Sequence, residues 1–191
     1  MGAYKYIKEN FQKQYKNRDS ILKKRVSEWG KESSIVRLEK PTNIARAREL
    51  GYKAKQGVVV VRCSIRKGMR KREKPRGGRK PSKNGRFFSY VKSLQSIAEE
   101  RASRKYMNTE VLNSYYVGED GRYKFFEVIL LDGSHGSILS DSLYSDVVSS
   151  KGRVFRGLTS SGIKHRGLLH KGKTTIISRP SVRSAQRGIR V

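Results

Sequence analysis

The chain predicts an α+β fold, in which a small, mostly antiparallel sheet carries packed helices, preceded by an N-terminal helical segment and extended by long basic extensions. Three observations lead there. Apolar residues recur at helical spacing at the start of the chain and again near residue 94. Runs rich in β-branched and aromatic residues, bounded by turn residues, occur at 58–66, 111–117 and 123–131. Positive charge is concentrated outside these periodic stretches.

Taken in order, Tyr4, Ile7, Phe11 and Tyr15 form one apolar stripe and Ile21, Leu22, Val26 and Trp29 a second, which predicts a helical hairpin in residues 1–32. Residues 34–38 predict a short strand. Pro41-Thr42-Asn43 before residues 44–50, followed by Gly51, predicts a short capped helix that ends on a C′ glycine. In the strand predicted at 58–66, Val59, Val61, Cys63 and Ile65 share one face, while Arg62, Ser64 and Arg66 share the other. One face is expected to be buried and the other to meet solvent or phosphate. Ser89 is expected to cap a helix carrying Tyr90, Leu94, Ile97, Ala98 and Arg101 at spacings of three and four. Residues 111–117 and 123–131 flank Gly118-Glu119-Asp120-Gly121, a hairpin signal. The chain divides into an N-terminal helical segment (1–32), an α+β core (33–132) with a basic loop at 66–87, and a loop with a basic C-terminal extension (133–191).

The 191 residues include 44 Lys and Arg against 16 Asp and Glu, a formal net charge of +28. A compact state so charged repels itself, so a polyanionic partner is expected. Nucleic acid is the obvious one. Leu, Ile, Val and Phe make up 24% of the chain, above the ~20% below which a charged chain is expected to stay unfolded. A modest core is therefore affordable. No apolar run approaches the ~18 residues of a membrane span, and residues 1–10 contain no signal-type apolar stretch. The single cysteine, Cys63, excludes an internal disulfide framework and a Cys-rich zinc site. An intracellular, soluble chain with no membrane partner is expected. Residues 62–86 hold 12 basic and 1 acidic side chains, and residues 147–191 hold 11 and none, whereas residues 99–146 hold 5 and 9. Both basic segments interleave Gly with charge and bury little, so residues 66–86 and 151–191 are expected to be disordered until they meet RNA.

Residues Gly167-Leu-Leu-His-Lys-Gly172-Lys173-Thr174 fit the P-loop pattern, and Val128-Ile-Leu-Leu-Asp132 resembles a strand bearing a magnesium-binding carboxylate. A P-loop must follow a buried strand and open a helix so that backbone N–H groups meet the phosphates. Residues 161–166 are no buried strand, and the match is read as chance. His135, His165 and His170 lack the carboxylate or thiol neighbours a metal site needs. Glu99-Glu100 and Glu119-Asp120 are paired carboxylates, expected on an exposed helix face and in a turn, hence solvated or paired with Arg rather than working as acid and base. Cys63 falls on the apolar face of its strand and is expected to be a small buried hydrophobe. No catalytic residue, metal, cofactor or small-molecule substrate is expected.

What remains is the basic content, and the candidate RNA-contacting residues follow from its distribution. Near the short helix they are Arg46, Arg48, Lys53 and Lys55. Along the strand and into the loop they are Arg62, Arg66, Lys67, Arg70, Lys71, Arg72, Lys74, Arg76, Arg79, Lys80, Lys83 and Arg86. In the C-terminal extension they are Lys151, Arg153, Arg156, Lys164, His165, Arg166, Lys171, Lys173, Arg179, Arg183, Arg187 and Arg190. Arg bridges phosphates bidentately and stacks on bases, whereas Lys acts as a point charge. Neutralising ~10 phosphates predicts a log–log salt slope of roughly −7 to −9. Zinc-finger, basic-zipper, helix-turn-helix and RNA-recognition signatures are missing, and a globular core with long basic arms suits penetration into a large folded RNA.

Blocks spread from end to end carry a resemblance: Met1-Gly-Ala-Tyr-Lys-Tyr-Ile7, Leu50-Gly-Tyr-Lys-Ala-Lys-Gln-Gly57, Gly77-Gly-Arg-Lys-Pro-Ser82, Ser93-Leu-Gln-Ser-Ile-Ala-Glu-Glu-Arg101, Val111-Leu-Asn-Ser-Tyr-Tyr-Val-Gly-Glu-Asp120, Tyr123-Lys-Phe-Phe-Glu-Val-Ile129, Arg156-Gly-Leu-Thr-Ser160 and Arg179-Pro-Ser-Val-Arg183. Together they resemble the eukaryotic and archaeal L-fifteen-e family of large-subunit ribosomal proteins, and the style of residues 72–86 resembles the archaeal branch. The chain departs from the family pattern at 133–150, where His135 is present but the expected Trp is not. The resemblance implies a structural, cytoplasmic, ribosome-bound protein whose partners are large-subunit ribosomal RNA and neighbouring large-subunit proteins. The alternatives are an RNA-modifying or processing enzyme that uses basic arms for substrate capture, and a DNA-compacting protein.

Overall fold

The computed structural model of the chain describes residues 2–71, 73, 76–78, 87–88 and 92–168. Two helices open it, α1 (Ala3–Asn17) and α2 (Ser20–Lys31). They meet in a tight elbow. Arg18 adopts the left-handed conformation (φ 49°), and its N–H returns to the carbonyls of Gln14 and Tyr15. The carboxylate of Asp19 then accepts the Ser20 N–H at the start of α2. Strand β1 (Ile35–Leu38) follows, and then α3 (Ile44–Glu49). The caps of α3 are those its sequence predicts: Asn43 Oδ1 accepts the Arg46 N–H at 3.0 Å, and Gly51 (φ 96°) lets its own N–H and that of Tyr52 reach the carbonyls of Arg48 and Ala47.

The main sheet comprises β1, β2 (Val58–Arg66), β5 (Thr109–Glu119) and β6 (Tyr123–Asp132), in the order β1-β2-β6-β5 and antiparallel throughout. Between β2 and β5 lie a two-stranded ribbon, β3 (Arg70–Lys71) with β4 (Phe87–Phe88), and helix α4 (Leu94–Lys105). Three short helices complete the described chain: α5 (Gly136–Leu139), α6 (Ser142–Ser149) and α7 (Ser160–His165). The α+β class, the small antiparallel sheet and the N-terminal helices are as expected. The far C-terminal extension and most of the basic loop lie outside the described residues.

Both faces of the sheet are covered. On one, Val61, Cys63 and Ile65 of β2 pack with Val128 and Leu130 of β6 beneath Ala98 and Ala102 of α4. On the other, Trp29 and Val26 of α2 and Ala47 of α3 pack on Tyr115, Val117, Phe125 and Ile129. A third cluster joins Leu131 to Ile138, Tyr144 and Val148 of α5 and α6. Each fully buried aliphatic side chain of this kind contributes about 1.5–3 kcal/mol. β6 is buried continuously from Phe125 to Leu131, apolar throughout except for Glu127, as expected of a doubly covered strand.

Four expectations are corrected. The even face of β2 does not meet solvent at Arg62, because α2 lies over it. Helix α4 starts at Leu94 with Ser93 as its cap, the Ser93 hydroxyl accepting the Ser96 N–H at 3.2 Å, while Ser89 lies outside the described residues. Residues 133–150, expected to be a loop, form α5 and α6, with Asp141 capping α6 and Tyr144, Val147 and Val148 turned to the core. Residues 151–168, expected to be disordered, pack on the core: Val154 joins the cluster under α4, and Thr159 and Ser161 are buried.

Candidate nucleic-acid interface

The predicted cations near α3 fall into two groups. Arg46 and Arg48 point outward, Arg46 bonding Glu49 at 2.7 Å and Arg48 lying 4.7 Å from the centre of the Tyr4 ring. Glu49 also takes the Lys8 ammonium at 2.7 Å, and the hydrogen bonds of Lys8 and Arg46 outweigh burial and hold its carboxyl below the ordinary value. Lys53 and Lys55 are instead turned to the protein. Both reach Asp141 Oδ2, at 2.9 and 2.8 Å, over the ring of Tyr144. Hydrogen bonds from Lys55 and Lys53 hold Asp141 down at about 2, and the bond to Asp141 raises Lys53. The Tyr144 hydroxyl donates to the Gly51 carbonyl at 2.6 Å, so this set fastens α6 to the turn after α3.

Arg62 is buried, with its guanidinium on Glu32 and 4.6 Å from the Trp29 ring centre. Beside it the fully buried Glu127 accepts the Thr42 N–H at 3.0 Å and the hydroxyls of Thr42 and Tyr115. Burial raises the Glu127 carboxyl despite those bonds, and burial followed by the charge of Glu127 raises the Tyr115 phenol. Arg66 and Arg76 are exposed, and Lys67 bonds Glu119 at 3.1 Å. Arg70 and Lys71 form β3 and pair with Phe88 and Phe87, which closes the base of the basic loop. Arg72, Lys74, Arg79, Lys80, Lys83 and Arg86 lie outside the described residues. Cys63 is fully buried, and desolvation pushes its thiol up to about 12.

The first part of the C-terminal segment is anchored by a residue the sequence reading placed on the surface. Glu99 is wholly buried and accepts the hydroxyls of Ser114, Thr159 (2.7 Å) and Ser161 (2.7 Å). Glu100 is buried as well, beside Lys92 and Arg104. The expected exposed carboxylate pair is therefore a structural one, and Glu119 and Asp120 also hold protein, Asp120 Oδ1 taking the Arg122 N–H at 2.6 Å. The signal for a covered helix face lay in α4 itself, where the small residues Ser96, Ala98, Ala102 and Ser103 surround Glu99 and let a second segment approach.

The three arginines of that segment donate to backbone carbonyls. Arg153 donates to the Val111 carbonyl at 2.9 Å, and desolvation lowers its pKa against the opposing charges of Glu99 and Glu110. Arg156 reaches the Lys151 carbonyl at 2.8 Å, and Arg166 the Gly157 carbonyl at 3.1 Å. His165 Nδ1 lies 3.2 Å from the Ser96 hydroxyl. Lys151 and Lys164 are exposed. The P-loop lookalike is entered from α7, a helix and not a buried strand, and from residue 169 onward it lies outside the described residues. So do Lys171, Lys173, Arg179, Arg183, Arg187 and Arg190.

Known proteins match nearly the whole chain. A family model described as Ribosomal L15 matches residues 2–185. A protein of Picrophilus torridus named large ribosomal subunit protein eL15 is 50% identical over 188 residues, covering 96% of each chain. That family is one of ribosomal structural proteins, so the reading as an RNA-modifying enzyme falls away. With a match that runs from the α1–α2 pair through the sheet into the C-terminal extension, the chain belongs to the L-fifteen-e family of ribosomal proteins.

Proposed function

We propose that the protein is a structural constituent of the large ribosomal subunit, bound there in the cytoplasm to ribosomal RNA and neighbouring ribosomal proteins. The observation that carries this reading is the 50% identity, over nearly the full length, to a protein named for that subunit. Its physical complement is the net charge of +28, which a compact chain sustains when a polyanion surrounds it.

The mechanism is electrostatic and positional. The sheet sets where the basic loop leaves β2, and Glu99 sets where the C-terminal segment crosses α4. Outward cations such as Arg48, Arg66, Arg76, Lys151 and Lys164 contact phosphates, while Arg62 and Arg153 hold the protein that presents them. The cations of the loop and tail outside the described residues extend the same contact. Tagged protein is expected to co-sediment with large subunits; a profile confined to free protein or small subunits overturns the reading.

A further inference from the structure

The site residues read from the sequence leave out the N-terminal helices, yet a broad cleft is built on them. It lies between the α1–α2 elbow and the β5–β6 turn and encloses about 890 Å³, within the ~300–1,000 Å³ of typical ligand clefts. Tyr15 and Tyr123 stand in its walls, and Leu22 and Val26 contribute apolar lining. Lys16, Arg18, Lys23, Lys31 and Arg122 supply cations, and none of the five has a carboxylate partner among the described residues.

The two carboxylates at the cleft are already engaged. Glu119 is bridged by Lys67 at 3.1 Å and Lys124 at 3.5 Å, and these contacts outweigh burial and keep it ionised below its ordinary value. Asp120 Oδ1 accepts backbone N–H groups of Arg122 and Tyr123. The turn is held in place, since the Lys67 N–H donates to the Arg122 carbonyl at 2.7 Å, and Asp120 Oδ2 sits 3.4 Å from where a Cβ on Gly30 would stand. On the opposite rim Arg18 is, among the described residues, the one non-glycine residue with positive φ.

We propose that this cleft receives an unstacked, single-stranded nucleotide of the ribosomal RNA, its base against Tyr15 and Tyr123 and its phosphates against Lys23, Arg122 and their neighbours. The proposal rests on the ribosomal reading and adds a site to it. Aromatic walls with a cationic rim match a base and its flanking phosphates, because stacking is indifferent to sequence and the charge follows the backbone. A duplex would meet the rim alone. Lys67, at the edge of the cleft, also begins the basic loop, so one RNA can run from the loop into the cleft.

The test is ultraviolet crosslinking of the full-length protein to a short oligouridylate, with affinities measured for that strand and for a blunt RNA duplex. Adducts are expected on Tyr15 or Tyr123. Tyr123→Leu is expected to weaken single-strand binding about fivefold or more while leaving duplex binding unaltered. Lys23→Gln with Arg122→Gln, both at exposed positions, is expected to lower the single-strand salt slope by about 1.4. Adducts confined to the basic loop and C-terminal segment, equal losses for both RNAs, or polyglutamate binding with the same dependence on Lys23 and Arg122 would each overturn the site. Wild-type protein that co-sediments with large subunits yet shows no cleft adduct sinks the cleft alone. Loss of co-sedimentation sinks the ribosomal reading beneath it.

Discussion

The segment 151–168 and the α1–α2 elbow are both rich in Lys and Arg, but they use that charge in opposite ways. In the first, Arg153, Arg156 and Arg166 donate to backbone carbonyls and the buried Glu99 ties two hydroxyls of the segment to α4. In the second, Arg18 and Lys23 have no carboxylate partner among the described residues and face a cleft. Basic composition therefore does not separate cations held by the protein itself from cations left open to a partner. What matters is whether a guanidinium or ammonium finds an acceptor within its own chain.

The comparison breaks most severely at Glu99. Glu99→Ala leaves the hydroxyls of Ser114, Thr159 and Ser161 without their acceptor and should cost about 3 kcal/mol in urea unfolding. Amide hydrogens of residues 151–168 should then exchange faster; unchanged exchange would mean that Glu99 is not the anchor. Arg153→Ala should cost roughly 1–2 kcal/mol in the same assay, since it removes a charged donor from the Val111 carbonyl. A smaller effect separates Lys53 and Lys55 from cations free to meet RNA. Asp141, lowered from 3.8 to about 2 when folded, stabilises the protein fully above its unfolded value, and this contribution is lost as pH falls from about 4 through 2. Asp141→Asn should flatten that part of the acid unfolding curve. The smallest change is expected at the elbow, where Lys23→Gln should shift unfolding stability by less than about 0.5 kcal/mol.

The sequence made the main elements legible where their signals are local. The Asn43 cap and C′ Gly51 delimit α3, and Gly118 to Gly121 with the flanking β-branched runs delimit the hairpin. The errors came from features set by distant segments. Alternation in β2 implied an open even face, yet the apolar run from Val128 to Leu131 of β6 beside it already pointed to cover on both sides. Glycines at 157 and 162 suggested a loose tail. They are packing residues: a Cβ on Gly162 would come within 2.8 Å of the Gly157 backbone, so their smallness is what lets α7 dock. Glu99 read as surface because its three hydroxyl partners are 15, 60 and 62 residues away in the chain. The cleft has no local sequence signal for the same reason, since the elbow and the β5–β6 turn meet only in three dimensions.

The sheet order also constrains how the protein is made. β2 pairs with β6 from Arg66↔Tyr123 to Val58↔Leu131, so the centre of the sheet cannot close until translation has passed β6. Until then β2 has β1 on one edge and bare N–H and C=O groups on the other, a template for pairing with foreign strands. Closing the intervening chain carries a loop-entropy penalty and gathers the mutually repelling cations of the basic loop. Neutralising the loop with a polyanion before β6 arrives would lower the electrostatic part of that barrier, so this sheet order makes the timing of charge neutralisation matter to folding.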